Sequence, residues 1–113
     1  MNLRLSKLSS RLFGGDVEST QTQKKVAASV TIYTTIFCPY CSRAKNLLGG
    51  KGAAFEEIAV DVDAAKRVEM IERSGGGRTV PQIFINDLHI GGSDELADLE
   101  RAGELDALLA VAP

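Results

Sequence analysis

The run Val30-Thr31-Ile32-Tyr33-Thr34-Thr35-Ile36 passes through Phe37 straight into Cys38-Pro39-Tyr40-Cys41, and this junction constrains the fold more than any other stretch of the chain. Unbroken β-branched and aromatic residues predict a buried strand over 30–36. Pro39 predicts a helix start, because its fixed φ and missing N–H suit the first helical position. Ala44, Leu47 and Leu48 follow at i, i+3, i+4 spacing, and Gly49-Gly50 is the expected stop. The stretch 55–61, FEEIAVD, reads as a second strand. Ala65, Val68, Met70 and Ile71 then predict an apolar helical stripe running to Ser74 and broken at Gly75-Gly76-Gly77. Two short apolar runs, QIFIN and LHI, separated at Asp87, read as a hairpin, and residues 93–110 supply the last helical material. The order is β-α-β-α-β-β-α. It predicts an α/β fold in which a right-handed crossover joins two parallel strands and a hairpin adds antiparallel ones.

With 113 residues the chain has room for one domain of ordinary size, and 44% hydrophobic with 25% charged residues is the balance of a globular protein with a small core. A net charge of −2 gives no nucleic-acid footprint, and no apolar run nears the roughly 20 residues that a spanning helix needs. Charge is unevenly placed. Residues 1–29 hold five basic and two acidic side chains, whereas residues 30–113 hold eight basic and thirteen acidic ones. Within the first part, 16–25 is polar and reads as a disordered linker. The first thirteen residues, MNLRLSKLSSRLF, have the basic, Leu- and Ser-bearing composition of an organellar transit peptide or of a frayed arm. The expected division is a flexible extension at 1–29 and a folded domain at 30–113. The expected location is cytoplasmic, or a mitochondrion or plastid if the extension is a targeting segment.

Cys38 and Cys41 are the only cysteines. At a helix start, unpaired N–H groups and the helix dipole favour thiolate over thiol, so Cys38 is expected to be an activated nucleophile. Cys41, one turn deeper, is placed to attack a mixed disulfide formed on Cys38. A structural disulfide, half of a zinc site completed from elsewhere and a pair of inert core thiols are the competing readings. So short a loop removes little chain entropy, however, and the chain offers only two Cys and one His to a metal that wants four ligands.

Four segments, IYTTIFCPYC, SRAKNLL, RTVPQIFI and HIGGSDEL, in this order and at these spacings resemble the dithiol class of the glutaredoxin family, over Val30 to about Leu109. The resemblance implies a thioredoxin-like fold, a four-stranded mixed sheet flanked by helices. It implies a glutathione-dependent thiol-disulfide oxidoreductase that reduces protein disulfides and glutathione mixed disulfides, with Cys38 and Cys41 catalytic and no metal. Its partners would be glutathione, glutathionylated or disulfide-containing proteins and ribonucleotide reductase, with a monomer expected. The glutathione site would comprise Tyr40, Arg78, Thr79, Val80, Pro81, Gly92, Ser93 and Asp94. Val80-Pro81 would be cis, the Val80 backbone would pair with glutathione like an added strand, and the 91–94 turn would take the γ-glutamyl end on helix N–H groups. A strand-opening proline and a helix cap formed by Ser93 are the plainer readings of those two features. One departure stands out: Thr35 occupies a position where the family often has lysine. Arg43 and Lys45 have no helical phase that aims them at Cys38, and His89, in an alternating stretch, is expected to face solvent. The rival function is an iron–sulfur cluster carrier using glutathione as co-ligand, against which Pro39 counts by family analogy. A third reading keeps the enzyme and makes thioredoxin reductase its reductant.

Overall fold

The computed structural model describes residues 26–113, so the transit-like 1–13 segment and the 16–25 linker lie outside the described residues. Four strands, β1 (Val30–Thr34), β2 (Glu56–Ala59), β3 (Gln82–Ile85) and β4 (Leu88–Gly91), form one sheet in the order β2-β1-β3-β4. Its helices are α1 (Pro39–Gly50), α2 (Ala64–Arg73), α3 (Ser93–Arg101) and α4 (Leu105–Leu109). β1 runs parallel to β2, with Tyr33 opposite Ile58, and antiparallel to β3, with Tyr33 opposite Gln82. This is the mixed, helix-flanked sheet expected from the sequence.

Successive side chains on a strand leave opposite faces, and both faces of β1 and β3 are buried. Val30, Ile32, Ile83 and Ile85 meet Ala44 and Leu48 of α1, Leu96 of α3 and Leu105 and Leu109 of α4. On the other face Tyr33 and Phe84 meet Val60 and Met70 of α2. The central strands are therefore continuous apolar runs because helices cover both sides. Ahead of β1, the N–H groups of Ala27 and Ala28 donate to the Leu109 carbonyl at 2.9 and 3.0 Å, and Val26 and Ala28 pack on the larger cluster. Among the described residues no helix is long and apolar enough to cross a membrane.

Several boundaries differ from expectation, each for a physical reason. β1 stops at Thr34 instead of Ile36, because the Ile36 N–H leaves the ladder and donates to Asp61 Oδ2 at 3.1 Å. α1 runs through Gly49 and Gly50 and ends at Lys51, with the chain reversing at Gly52, whose φ is +73°. The expected α2 stripe is only half right: Met70 is buried, but Val68, two residues or about 200° away around the helix, is exposed. Charged residues complete the inner side of α2. Tyr33 Oη donates to Glu69 at 2.6 Å and accepts from Arg73 at 3.0 Å, and the Arg73 guanidinium lies 4.2 Å from the Phe84 ring centroid. The β3–β4 hairpin turns at Asn86 and Asp87, with φ of 51° and 68°, the positive pair that a two-residue turn of this hand requires.

Thr34, fully buried, donates its hydroxyl to Glu57 at 2.7 Å, and Lys45 reaches the same oxygen at 3.0 Å. The Thr34 hydrogen bond first, and Lys45 second, hold the Glu57 carboxyl below the ordinary carboxylate range. Its folded pKa is thus below its unfolded one. The stabilisation is present above the unfolded value and is lost as pH falls through the folded one. Thr34→Val is expected to raise the Glu57 pKa in carboxyl NMR titration and to flatten the fall of unfolding free energy in acid.

Candidate active site

The turn out of β1 delivers Cys38 as the N-cap of α1, with extended backbone at φ −143° and ψ 101° and Pro39 opening the first turn. Cys38 Sγ accepts the Cys41 N–H at 3.1 Å, so one otherwise orphaned helix donor points at sulfur. No acidic residue occupies the first turn of α1 to oppose a negative sulfur. The two cysteines are joined as a disulfide with Cα atoms 5.1 Å apart. Cys41 is buried, whereas Cys38 is partly accessible, which gives an outer sulfur that a reactant can reach and an inner one that it cannot. Inert core thiols do not fit this asymmetry.

Facing Cys38 is the loop between α2 and β3. The Val80 carbonyl oxygen lies 3.9 Å from Cys38 Sγ, and Val80-Pro81 is cis. Side chains fix the loop at each step. Ser74 Oγ accepts the Gly77 N–H at 2.8 Å, Arg67 donates to the Arg78 carbonyl at 3.0 Å, and buried Gln82 donates to the Thr79 carbonyl at 3.0 Å. The Gln82 amide oxygen in turn accepts from His89 Nε2, 2.6 Å away, and the His89 ring lies 5.0 Å from that of Phe84. His89 is exposed, as expected, yet tied by this bond to the loop anchor. Gly77 must be small, since a Cβ there would come within 2.8 Å of the Gln82 amide nitrogen.

The third wall is the start of α3. Gly92 is its N-cap, and a Cβ on Gly92 would lie 3.4 Å from the Pro81 carbonyl, so this helix end abuts the cis-proline loop. The cap is not made by Ser93, which is buried as the first helical residue. Instead Glu95 reaches back to accept the Gly92 N–H at 2.7 Å. Asp94 projects outward, 3.9 Å from Arg43 of α1, whose guanidinium also lies 5.5 Å from the Tyr40 ring centroid. The structure therefore brings Cys38 and Cys41 against Val80, and Gly92 against the adjoining Pro81, with Tyr40 and Asp94 linked through Arg43. Arg78 and Thr79 lie exposed just before Val80. Gln82, Glu95 and Arg43 were missed as site-shaping residues. For Arg43 a signal existed, its i, i+3 spacing from Tyr40.

A nucleophilic sulfur at a helix start, a buried second sulfur one turn on, and an exposed backbone segment opposite can perform thiol–disulfide exchange. Known proteins agree. The glutaredoxin family model matches residues 30–90. Glutaredoxin 3 of Escherichia coli (strain K12) is 58% identical over 82 residues, covering 73% of this chain and 98% of that protein. The Pseudomonas aeruginosa glutaredoxin is 58% identical over 80 residues, 71% of this chain and 94% of its own length. Among solved structures, the solution structure of Brucella melitensis glutaredoxin is 50% identical with a TM-score of 0.66, covering 78% of this chain and 95% of that one. The crystal structure of a buckwheat glutaredoxin–glutathione complex is 32% identical with a TM-score of 0.66, covering 74% and 78%. Sequence, sheet order and the paired sulfurs converge: the chain belongs to the glutaredoxin family of glutathione-dependent thiol-disulfide oxidoreductases.

Proposed function

We propose that this protein reduces both glutathione mixed disulfides and protein disulfides, using glutathione as co-substrate at the site walled by α1, the 77–81 loop and the start of α3. The observation that carries this reading is Cys38 Sγ at the α1 N-terminus, accepting the Cys41 N–H and facing the Val80 carbonyl. With Thr35 where a lysine often stands, the helix end supplies the electrostatic stabilisation of the Cys38 thiolate. The thiolate attacks the glutathione sulfur of a glutathionylated protein. A Cys38–glutathione disulfide forms as the mixed disulfide breaks, and the protein leaves as its thiol. A second glutathione attacks this intermediate, releasing oxidised glutathione and restoring Cys38. For a protein disulfide, Cys38 attacks one substrate sulfur, Cys41 displaces the reduced substrate, and the resulting Cys38–Cys41 disulfide is reduced by two glutathiones.

In this reading the Val80 backbone aligns the glutathione cysteinyl segment as an added strand. Arg78 and Thr79 take the glycyl carboxylate, Gly92 and Ser93 offer α3 N–H groups to the γ-glutamyl carboxylate, and Asp94 takes its ammonium. Pro81 fixes the Val80 backbone and Tyr40 covers the thiol rim. The buckwheat structure with glutathione, on a chain of the same fold, supports the ligand. Ribonucleotide reductase is among the reductases this donor would serve, acting as a monomer in the cytoplasm. An intact residue 1 in the natural protein, read by mass, would sink organellar processing.

The test is glutathione-coupled turnover of a small mixed disulfide, followed through glutathione reductase. Turnover supported by thioredoxin reductase but not by glutathione would overturn the reading. A brown colour in freshly purified, oxygen-free protein would favour the cluster carrier. Gln82→Leu removes the bond that holds the Thr79 carbonyl, a loss of about 0.5–1.5 kcal/mol. It is expected to raise KM for glutathione about 2- to 10-fold with kcat little changed, read by steady-state kinetics at varied glutathione.

A further inference from the structure

We propose that the groove between β4, α3 and α4 holds the basic, leucine-bearing segment 4–13 of this same chain, a contact separate from the sulfur chemistry. The groove has a volume of about 470 Å³, and neither Cys38, Tyr40 nor Val80 lines it. Its walls are apolar, with Leu88 from the edge strand β4, Leu99 from α3 and Leu108 from α4. Its charged lining residues are Glu95, Asp98 and Glu104, and among the described residues no lysine or arginine lines it. Arg101 pairs with Asp98, one Glu95 oxygen takes the Gly92 N–H, and Glu104 has no cationic partner among the described residues. Three carboxylates on an apolar groove therefore face one cation, which is the complement of a segment that carries leucines and several positive charges.

The segment 4–13 carries that pattern. Leu5, Leu8 and Leu12 recur at i, i+3 and i+7, and Arg4, Lys7 and Arg11 repeat the spacing one position earlier, so a helical register sets a leucine stripe beside a basic one. No acidic residue occurs before Asp16, whereas residues 30–113 hold thirteen acidic against eight basic side chains. The chain also enters the domain at this groove. The N–H groups of Ala27 and Ala28 donate to the carbonyl of Leu109, the neighbour of Leu108, and Val26 packs on the same core cluster as Leu99 and Leu108. Residues 16–25 reach up to about 35 Å when extended, whereas the nine residues of α3 rise only about 14 Å. The tether therefore spans the groove with slack. It holds the segment at an effective concentration on the order of mM, so that contacts too weak to join separate chains suffice within one.

The experiment treats the full chain with a carbodiimide, which joins a lysine to a carboxylate only where the two meet. Equal parts of unlabelled and isotope-labelled protein let mass spectrometry separate bonds within a chain from bonds between chains. Lys7 is expected to join Glu95, Asp98 or Glu104 within one chain at least about 5-fold more often than it joins Glu72, an exposed carboxylate of α2 on the other face of the sheet. Leu5→Ser with Leu8→Ser is expected to bring that ratio to within about 2-fold of unity and to move the amide NMR signals of Leu88, Leu99 and Leu108 while those of α2 stay in place. Leu88→Ser alters the groove from its own side without unpacking the core, because Leu88 is exposed, and is expected to lower the ratio about 2-fold or more. A ratio near unity in the unaltered chain, or one that the serine variants leave alone, overturns the proposal. Bonds from Lys7 to the groove found only between labelled and unlabelled chains also overturn it, and assign the groove to a second copy of this chain.

Discussion

Cys38→Ser is expected to abolish turnover of both the small mixed disulfide and a protein disulfide, by more than about 10³-fold, because no neighbouring group can supply the lost nucleophile. A serine hydroxyl is not ionised near neutral pH, so the helix N-terminus that favours a thiolate has no anion to favour. The buried Cys41 does not substitute, since the substrate sulfur cannot reach it. Cys41→Ser separates the two routes. It is expected to retain the small mixed disulfide within about 3-fold, where glutathione itself resolves the intermediate, and to lose most of the protein-disulfide activity, where Cys41 must resolve. Equal loss in both variants and both assays would mean that the sulfurs act only as a pair, and the single-thiol route would fall.

The parts of this molecule legible in its sequence are those encoded by local pattern. Residues 30–34 announce a buried strand by composition, Pro39 announces α1, and Asn86-Asp87 sits where the hairpin turns. The cysteine pair is legible for the same reason, because its chemistry depends on being at the end of a strand and the start of a helix, both adjacent in sequence. Much of what was not legible depends on contacts between distant residues. α2 shows a poor apolar stripe because much of its inner side is Glu69 and Arg73, and these are tolerated there only because Tyr33, 36 residues from Glu69, presents a hydroxyl between them. Gln82 looks like an ordinary strand residue until the cis-proline loop folds back on it. Glu95 takes the cap expected of Ser93 because Gly92, one residue earlier, is where the helix begins, a shift of one position that periodicity does not resolve.

Phe84→Ala carries the largest expected effect on stability, about 3–5 kcal/mol, or roughly 12–30 °C in Tm for a domain of this size. Phe84 is 1% exposed and stands between three partners: Tyr33 edge-on at 5.8 Å between centroids, His89 at 5.0 Å and the Arg73 guanidinium at 4.2 Å. Truncation loses the ring's own burial, opens a cavity on the α2 face and leaves Arg73 over empty space, so the cost should exceed that of removing the same number of carbons from an all-aliphatic site. Val68→Ala on the same side of the sheet is the control. An apolar side chain there faces water, and its loss should stay within about 0.5 kcal/mol. Urea unfolding of both variants, with the slope unchanged, checks the pair. Comparable losses in the two would mean that α2 is rotated about its axis from the placement that seats Met70 in the core. A further consequence separates Phe84 from a purely structural residue. Its ring supports His89, which fixes Gln82, which fixes the Thr79 carbonyl, so the milder Phe84→Leu, folded at 25 °C, should raise KM for glutathione in the same direction as Gln82→Leu, with little change in kcat.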